Sequence, residues 1–523
     1  MSRFSRRDVL ALAVRAGLAG IGTAVLGGRA QADAASSRTR FTAIVVGSGF
    51  GGSVAALRLG QAGVDTLVLE RGREWPTAPD KQVFGSVNGV TDTMFWNRPT
   101  TRYPLLLPTP VRPGPGVLEV SQERDIDILC GAGVGGGSLV YSGVTIAPQR
   151  RYFERLYPAA LAYREFEETW FPKVRNMLGS SPMPADVYRS TPFTHSRLWD
   201  EQERRARART FALDSTFDWE VIRAELAGRA PLCATIGNSD FGCGNGAKKS
   251  LTRSYLPAAL ASGHVQLRPL HEVRSIHRRR GGGFLLEVRT LDAGGTIVDT
   301  AEYSCDMLFM AAGTLNTNRL LVAARERGEL PDLPASVGQG FGDNGDQVSI
   351  RSAPLHFHGG AQGAPMASAA LFDRAFGLPL LAESYMLAAY HGVPAVVTIS
   401  MTVDTDHRGA FRYDPATRTV ALDWNASKSA AAARAAADHN QRVISSNPLM
   451  LPVGVQIPTL TAHPVGGCVI GTTTDLEGRV HGMKGLYVID GSLLPGNAAG
   501  ANPSLSIAAL AERAMANIIS GNA

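Results

Sequence analysis

The chain has 523 residues, 57 glycines and a formal net charge of +6 at neutral pH. This length predicts about two to four domains, and the hydrophobic fraction of 44% is typical of a water-soluble protein with a packed core. The glycines follow no repeat, which excludes a fibrous chain. Basic residues form no block with interleaved aromatics, so we expect no nucleic acid among the partners.

The first 32 residues predict an export signal. Arg6 and Arg7 precede an apolar stretch, residues 11–26, and residues 30–32 (Ala-Gln-Ala) form a small-x-small cleavage site. Paired arginines are typical of the twin-arginine route, so we expect a secreted or periplasmic protein. An uncleaved membrane anchor is the alternative, although the apolar stretch is shorter than the ~20 residues that a spanning helix needs.

Residues 43–70 predict a βαβ unit that binds a dinucleotide. Its parts are the strand 43–46, the turn residues Gly47, Ser48, Gly49, Phe50, Gly51 and Gly52, the helix 53–61, the strand 65–69 and the terminal acid Glu70. Gly49 lets the backbone approach a pyrophosphate, and the helix N-terminus favours its negative charge. Because Glu70 can accept hydrogen bonds from ribose hydroxyls and would repel a 2′-phosphate, the unit disfavours NADP, and we expect FAD.

A second glycine loop occupies residues 131–138 and contains five glycines in its first seven positions. Such a loop leaves a run of N–H groups free to meet an anion or a flat ring. A flexible linker is the alternative, but the apolar flanks favour a buried turn. The loop residues that we expect at the cofactor are Gly133, Gly136, Gly137 and Ser138.

The remaining pattern predicts a mixed α/β protein. The predicted elements are helices within 151–235, helix 255–261, strand 265–270, a hairpin of 273–277 with 284–291, strand 306–310 with a helix through residue 324, strand 395–403, strand 486–489 and helix 504–519. The expected domains are a Rossmann-like FAD-binding domain (40–150, 240–345 and 456–523) and a substrate-binding domain with an antiparallel sheet and helices (151–239 and 346–455).

Two polar residues near the C-terminal end could carry chemistry. His463 precedes a proline, so its backbone is extended, and its imidazole could hydrogen-bond an alcohol oxygen near neutral pH. A purely structural donor is the alternative. Asn502 precedes Pro503, and its alternative role is a helix N-cap. Asp490, at a strand end, suits a contact with the cofactor or with a helix terminus.

The five cysteines are few and widely spaced, so they predict neither a disulfide framework nor a metal site. They are Cys130, Cys233, Cys243, Cys305 and Cys468. Cys233 and Cys243 could pair after export, but we expect buried thiols.

Seven segments resemble, in order, the glucose-methanol-choline (GMC) oxidoreductase family, and within it the bacterial cholesterol oxidases with non-covalent FAD. The segments are VGSGFGG, GAGVGGGSLV, GAKKSLTRSYLPAAL, AAGTLNTNRLL, VGQGFGDNGD, AHPVGGCV and GLYVIDGSLLPGNAAGANP. The resemblance spans nearly the whole chain. It implies His463 and Asn502 as catalytic residues, Glu383 as the acid that moves a proton from C4 to C6 of the steroid, and Val273, Gly313, Asp490 and Asn502 as further cofactor contacts.

The same resemblance implies oxidation of a 3β-hydroxysteroid to a ketone, reduction of oxygen to hydrogen peroxide, and isomerisation of the 5-ene to the 4-en-3-one. It implies a sterol and molecular oxygen as partners, a transient membrane contact through loops in 72–118, and a monomer. The chain departs from the group's pattern at Tyr141-Ser142, Ala462 and Ser504. Two alternatives remain: a GMC-type flavin dehydrogenase that oxidises another secondary alcohol and reduces a quinone or another acceptor, and a non-catalytic sterol-binding flavoprotein.

Overall fold

The computed structural model describes residues 39–76, 83–85, 93–97, 100–101, 109–352, 362–386, 395–447, 455–456 and 460–521. The expected export signal, residues 1–32, and much of the expected membrane-contact region, 72–118, lie outside these ranges. Within the described ranges, none of the helices combines the length and the apolar character needed to cross a bilayer.

Helices and strands alternate in the first part of the chain and mix throughout. The α-helices are α1 (Phe50–Gln61), α2 (Arg150–Leu156), α3 (Tyr163–Glu165), α4 (Phe171–Leu178), α5 (Ala185–Arg189), α6 (Thr194–Arg205), α7 (Trp219–Leu226), α8 (Tyr255–Leu260), α9 (Gly313–Glu326), α10 (Ala430–Ser445) and α11 (Pro503–Ser520). The strands are β1 (Arg40–Val46), β2 (Thr66–Leu69), β3 (Thr100–Thr101), β4 (Thr109–Pro110), β5 (Leu118–Gln122), β6 (Asp127–Gly131), β7 (Ser181–Pro182), β8 (Thr210–Ala212), β9 (Asp214–Ser215), β10 (Val265–Arg268), β11 (His271–Arg278), β12 (Phe284–Leu291), β13 (Ile297–Met310), β14 (Gln339–Gly342), β15 (Gln347–Ser352), β16 (Ser368–Phe376), β17 (Leu378–Tyr385), β18 (Ala395–Thr402), β19 (Gly409–Asp414), β20 (Thr419–Asp423), β21 (Val455–Gln456), β22 (Leu460–Thr461), β23 (Val465–Gly467) and β24 (Leu486–Val488).

The glycine turn follows a strand of a seven-stranded sheet. Its order is β10-β2-β1-β13-β12-β11, and β24 pairs with β13. Strands β1, β2 and β10 run parallel, as do β13 and β24, whereas β11, β12 and β13 are antiparallel. The parallel strands present their carboxyl ends at one edge, where a dinucleotide fold binds its ligand. Helix α1 packs on this sheet and against α8 and α11.

A six-stranded sheet of order β21-β15-β18-β17-β16-β8 lies beyond the cofactor fold. Its central strands pair antiparallel, with Glu383 of β17 opposite Ala369 of β16 and Ile399 of β18. All eight residues of β18 are buried, because the sheet is covered on both faces. Leu381, Glu383 and Tyr385 therefore share one face of β17, since side chains alternate along a strand.

The predicted elements are confirmed with shifted ends. The first helix begins at Phe50 rather than at residue 53, because Gly49 is its N-cap and the last motif glycine lies inside the first turn. The strand predicted at 306–310 begins at Ile297, since its first part pairs with β12 as a hairpin arm. The discontinuous domain boundaries stay a prediction.

Gly51 and Gly49 offer a matched test of the glycine turn. A Cβ on Gly51 would lie 1.6 Å from the Ile489 carbonyl oxygen, whereas a Cβ on Gly49 would meet no atom within 4 Å. We expect Gly51→Ala to lower the free energy of unfolding by about 3 kcal/mol or more, because the new methyl group would clash with backbone atoms that cannot move aside. Gly49→Ala should leave thermal stability close to that of the wild type and weaken flavin retention instead. Equal melting temperatures for the two variants would contradict this packing.

Candidate active site

One cavity of about 680 Å³ runs from the glycine turn to the six-stranded sheet. The predicted site residues on its wall are Gly47, Ser48, Gly49, Phe50, Gly51, Glu70, Gly136, Gly137, Val273, Gly313, His463, Asp490 and Asn502. Residues far apart in sequence thus surround one space, as a long ligand with several recognisable parts requires. Four predicted site residues are not on the wall: Gly52, Gly133, Ser138 and Glu383.

Three of these four shape the loops behind the wall. A Cβ on Gly52 would lie 2.1 Å from the Gly47 carbonyl oxygen, so its glycine permits close packing of α1 on the turn. The Ser138 hydroxyl donates to the Gly135 carbonyl at 2.7 Å and accepts from the Leu251 amide at 3.0 Å. Gly133 has φ +148°, a conformation that favours glycine. These three residues therefore set the course of the backbone in the two glycine loops instead of lining the cavity.

Glu70 closes the first glycine turn from behind. One carboxylate oxygen accepts from the Ser48 amide at 3.0 Å and from the Ser48 hydroxyl at 2.7 Å, and the other accepts from the Gly72 amide at 2.8 Å. The same Ser48 hydroxyl accepts from the Gly135 amide at 3.0 Å. The predicted ribose acid therefore also joins the two glycine loops, which fixes their relative position.

Asp490 performs the helix-terminus role that the sequence left open. Its Oδ2 accepts from the Gly313 amide at 2.9 Å and from the Thr317 hydroxyl at 2.5 Å, and its Oδ1 accepts from the Ser492 amide at 2.9 Å. A carboxylate at the start of α9 satisfies unpaired N–H groups and complements the helix dipole. Burial nevertheless raises the pKa of Asp490, although these hydrogen bonds oppose the rise.

His463 is oriented by a carboxylate that the sequence reasoning did not assign. Its Nδ1 lies 2.9 Å from Asp346 Oδ1, and Asp346 Oδ2 accepts from the Thr461 hydroxyl at 2.9 Å and from the Ala462 amide at 3.0 Å. An acceptor at Nδ1 places the ring proton there and leaves Nε2 as a hydrogen-bond acceptor. Burial lowers the pKa of His463, but the charge and hydrogen bond of Asp346, with Glu383, outweigh it and raise the pKa.

Asn502 occupies the N-cap position of α11 but does not cap the helix with its side chain. Its Nδ2 instead donates to Glu383 Oε2 at 3.2 Å and lies 3.5 Å from His463 Nε2. Pro503 follows at the first helical position, where no N–H is needed. The amide is thereby turned away from the helix and toward the imidazole.

Glu383 lies behind Asn502 and is completely buried. Burial raises its pKa to about 7, while the hydrogen bond from Asn502 and the charge of His463 oppose the rise. Its second oxygen, Oε1, has no hydrogen-bond partner among the described residues. A carboxyl with this pKa can both give and take a proton near neutral pH.

Parts of the chain are similar to known proteins. Residues 397–511, which include His463 and Asn502, match the family described as GMC oxidoreductase. The chain is 28% identical to a cholesterol oxidase of Mycobacterium tuberculosis (strain CDC 1551 / Oshkosh) over 91% of this chain and 90% of the relative, and 24% identical to a cholesterol oxidase of Acinetobacter baumannii over 91% and 94%. These matches support a cholesterol-oxidase-like protein of the GMC type.

Solved structures of other oxidases share this fold. Pyridoxine 4-oxidase from Mesorbium loti superposes with a TM-score of 0.63 at 15% identity, covering 91% of this chain and 99% of that one. A fungal aryl-alcohol oxidase superposes with a TM-score of 0.62 at 15% identity, covering 92% and 99%. At this identity the likeness shows the fold alone, a mixed α/β architecture.

The comparisons support an FAD-dependent alcohol oxidoreductase, and the cavity of this chain fits the cofactor. Gly49, Gly137 and Gly313 lie on the wall, and a Cβ on any of them would meet no protein atom within 4 Å. These open glycines leave backbone space for a ligand beside the N-termini of α1 and α9, where phosphate oxygens are favoured. Glu70 is positioned for a ribose at the end of β2.

The sequence also did not predict a polar wall on one side of the cavity. Asp240 accepts hydrogen bonds from the Ser142 hydroxyl and from the Tyr385 hydroxyl, each at 2.9 Å, and all three residues line the cavity. Ser142 is one of the departures from the cholesterol-oxidase pattern. The Ser504 hydroxyl, another departure, donates to the Val144 carbonyl at 3.1 Å, and Ala462 is exposed. Ser142 therefore belongs to a polar patch on the cavity wall. Its partner Asp240 is 98 positions away along the chain, so the sequence alone does not reveal the pairing.

The raised pKa of Glu383 predicts a pH-dependent stability change. A carboxyl whose folded pKa exceeds its unfolded value stabilises the fold below the unfolded pKa, and that stability is lost as the pH rises through the folded pKa, here from 4.5 to about 7. We therefore expect Glu383→Gln to raise the free energy of unfolding relative to wild type by on the order of 3 kcal/mol at pH 8, and by much less at pH 5.

Chemical denaturation at both pH values measures this difference. Glu287→Gln is the control, because the Glu287 side chain on β12 is half exposed. A Glu383→Gln variant with the same gain at pH 5 and pH 8 would show that the carboxyl is not protonated preferentially in the folded state.

Proposed function

We propose that this protein oxidises a 3β-hydroxysteroid such as cholesterol to the ketone, reduces oxygen to hydrogen peroxide, and isomerises the 5-ene to the 4-en-3-one. The observation that carries the proposal is the contact of Asn502 with both His463 and Glu383, because it joins a base for alcohol oxidation to a second acid–base group. The similarity to two cholesterol oxidases over 91% of the chain supports the steroid substrate.

The alcohol oxygen binds between His463 and Asn502. Asn502 Nδ2 donates to that oxygen, and His463 Nε2 accepts its proton, because the Asp346 contact keeps the other ring nitrogen protonated. FAD, when bound, supplies the acceptor for the hydride of the alcohol carbon. The Asp346 carboxylate then stabilises the imidazolium that results, as its charge already raises the pKa of His463.

Glu383 performs the second proton transfer. Its carboxylate takes a proton from C4 of the 5-ene-3-ketone and returns it to C6, which moves the double bond into conjugation. A pKa of about 7 suits both directions, since the group is neither a strong acid nor fully ionised at neutral pH. Ile399, on the strand beside Glu383, and Met366 lie on the cavity wall and exclude water from this step.

Anaerobic addition of cholesterol to the purified yellow protein tests the proposal. We expect loss of flavin absorbance, its return with peroxide formation on admission of air, and a 4-en-3-one product. Flavin that stays oxidised with cholesterol but is reduced by another secondary alcohol would refute the steroid substrate. Flavin that stays oxidised with every alcohol tried would favour a sterol-binding flavoprotein without catalysis.

A second candidate is a dehydrogenase of a more polar secondary alcohol that passes electrons to a quinone. The polar wall of Ser142, Asp240 and Tyr385 favours it, because a steroid ring system has little use for a buried carboxylate. Oxygen consumption compared with quinone reduction, on cholesterol and on a panel of polar alcohols, distinguishes the two.

On the grounds of sequence and resemblance, we also propose export through residues 1–32, a transient membrane contact through 72–118 for sterol extraction, and a monomeric enzyme. Size-exclusion chromatography and co-sedimentation with sterol-containing vesicles test the last two.

A further inference from the structure

Cys233 and Cys243 meet in a loop outside the catalytic residues. Cys233 Sγ lies 3.8 Å from the carbonyl oxygen of Gly242, the residue that precedes Cys243. Each of the two thiols also acts on the pKa of the other, which places the side chains near one another. Both are free thiols in this structure. The remaining cysteines, Cys130, Cys305 and Cys468, lie elsewhere in the fold.

A buried carboxylate holds the two halves of this loop together. Glu225, only 2% exposed, accepts hydrogen bonds at 2.7–3.1 Å from the following donors: the amides of Cys233, Ala234 and Thr235, the Thr235 hydroxyl and the Asn245 side-chain amide. The Cys243 thiol in turn donates to Asn245 Oδ1 at 3.3 Å. This network ties the Cys233 backbone to the Cys243 side chain, so the loop itself holds the two cysteines near one another.

The two thiols have different surroundings. The Lys248 amide donates to Cys243 Sγ at 3.1 Å, and the buried Lys248 ammonium is close enough to act on it electrostatically. The neighbouring Cys233 thiol, the Lys248 amide and the Lys248 charge together lower the pKa of Cys243, while burial and Glu225 oppose this. The same contact, with burial, raises the pKa of Cys233. Cys243 is therefore the nucleophile, and Cys233 holds its proton.

We propose that Cys233 and Cys243 form a redox-active dithiol that a peroxide converts into a disulfide. The Cys243 thiolate attacks one peroxide oxygen, the O–O bond breaks, and the leaving oxygen takes a proton to become water. The resulting sulfenic acid is attacked by the Cys233 sulfur, the S–S bond forms, and a second water leaves. The two thiols lose two electrons, and the peroxide gains them.

Lys248 connects this dithiol to the cavity. Its ammonium donates to the backbone carbonyls of Tyr141, at 2.9 Å, and of Ser239. The next residue after each of these carbonyls, Ser142 and Asp240, belongs to the polar wall of the cavity. Disulfide formation removes the thiolate beside Lys248. Oxidation therefore changes the charge next to the ammonium that holds both wall segments through their carbonyls. If the proposed function is correct, the peroxide it produces is the oxidant.

Mass spectrometry of the flavin-loaded protein tests the disulfide without reference to activity. Trypsin releases residues 230–248 as one peptide that contains both cysteines. After treatment with hydrogen peroxide, removal of the excess and alkylation under denaturing conditions, we expect this peptide to be lighter by two hydrogens and unalkylated, and dithiothreitol to restore alkylation. Cys305 and Cys468, buried in the same molecules, are internal controls and should remain alkylated.

Two variants test the roles of the thiols. In Cys233→Ser the Cys243 sulfenic acid should persist and be trapped by dimedone, whereas Cys243→Ser should yield no adduct on Cys233. A 230–248 peptide that remains fully alkylated at peroxide concentrations that oxidise Cys305 would overturn the proposal, and so would dimedone labelling of Cys243→Ser. The wild-type measurement decides the disulfide even if a variant does not fold, and neither readout depends on the steroid substrate.

Discussion

Replacing Asp346 with asparagine is expected to lower the rate of alcohol oxidation by about 10²–10⁴-fold, the contribution of a positioned general base. The asparagine can keep its oxygen on Thr461 and Ala462, which puts its amide N–H groups toward His463 Nδ1. That nitrogen must then accept, the ring proton moves to Nε2, and Nε2 can no longer take the alcohol proton. The rate of flavin reduction by alcohol in single turnovers is the measurement.

Asp343→Asn provides the matched control for Asp346→Asn. Asp343 lies three residues earlier in the same segment, and its side chain accepts from the Ser429 hydroxyl at 2.7 Å and from the Gly345 amide at 2.9 Å, without contacting His463. We expect its oxidation rate to stay within a few-fold of wild type. Equal losses in the two variants would indicate a folding defect of the segment instead of a role for the Asp346–His463 pair.

The pH profile adds a readout specific to the imidazole. Only neutral His463 can accept the alcohol proton, so the rate should fall as the pH drops through its pKa, which Asp346 raises. Without the Asp346 charge that pKa falls, and the acidic limb of the residual activity should move to lower pH. If the acidic limb of the Asp346→Asn profile stays at the wild-type pH, a residue other than His463 controls the rate.

Replacing Glu383 with glutamine is expected to separate the two proposed reactions. Glutamine can still accept from Asn502 Nδ2 but cannot take a proton from C4, so isomerisation should fall by about 10²–10⁴-fold while oxidation changes little. The 5-ene-3-ketone should then accumulate. Chromatography of the steroid products, with separate assays on cholesterol and on the preformed 5-ene-3-ketone, measures both steps.

Asp240→Asn is the control for the isomerisation step. Burial raises the pKa of Asp240 also, although Lys248 opposes the rise, and this buried carboxyl lies on the cavity wall. We expect it to retain isomerisation, because Asp240 contacts Ser142 and Tyr385 and not Asn502. Loss of isomerisation in Asp240→Asn, with Glu383→Gln fully active, would exchange the roles of the two acids.

The cofactor half of the site was predictable because its signals are local in sequence. The glycine turn, the helix behind it and Glu70 fall within 28 consecutive residues, and their spacing follows directly from the geometry of a βαβ unit. The turn is found as predicted, with the helix starting three residues earlier. Loop residues such as Ser138 were predicted to bind the cofactor yet lie behind the wall, because a glycine-rich pattern does not say which N–H groups point outward.

The substrate half required the tertiary structure. Asp346 lies in the GDNGD segment, whose resemblance was noted without a role, and 117 residues separate it from His463. The pairing of Ser142 with Asp240, and of Cys233 with Cys243, likewise depends on how separate loops meet. No periodicity encodes such contacts, since each is set by the packing of elements that are remote along the chain.

The amino-acid sequence by itself determined the class of fold, the nucleotide-binding turn and the polar residues His463 and Asn502, because propensity, glycine spacing and proline position act over a few residues. Only the tertiary structure decided what those residues do together. It turned the Asn502 amide from its helix toward His463, and it buried Glu383 so that its pKa rises to about 7. A side chain's partner and its desolvation are properties of the assembled core, and they set the chemistry that the same residues can perform.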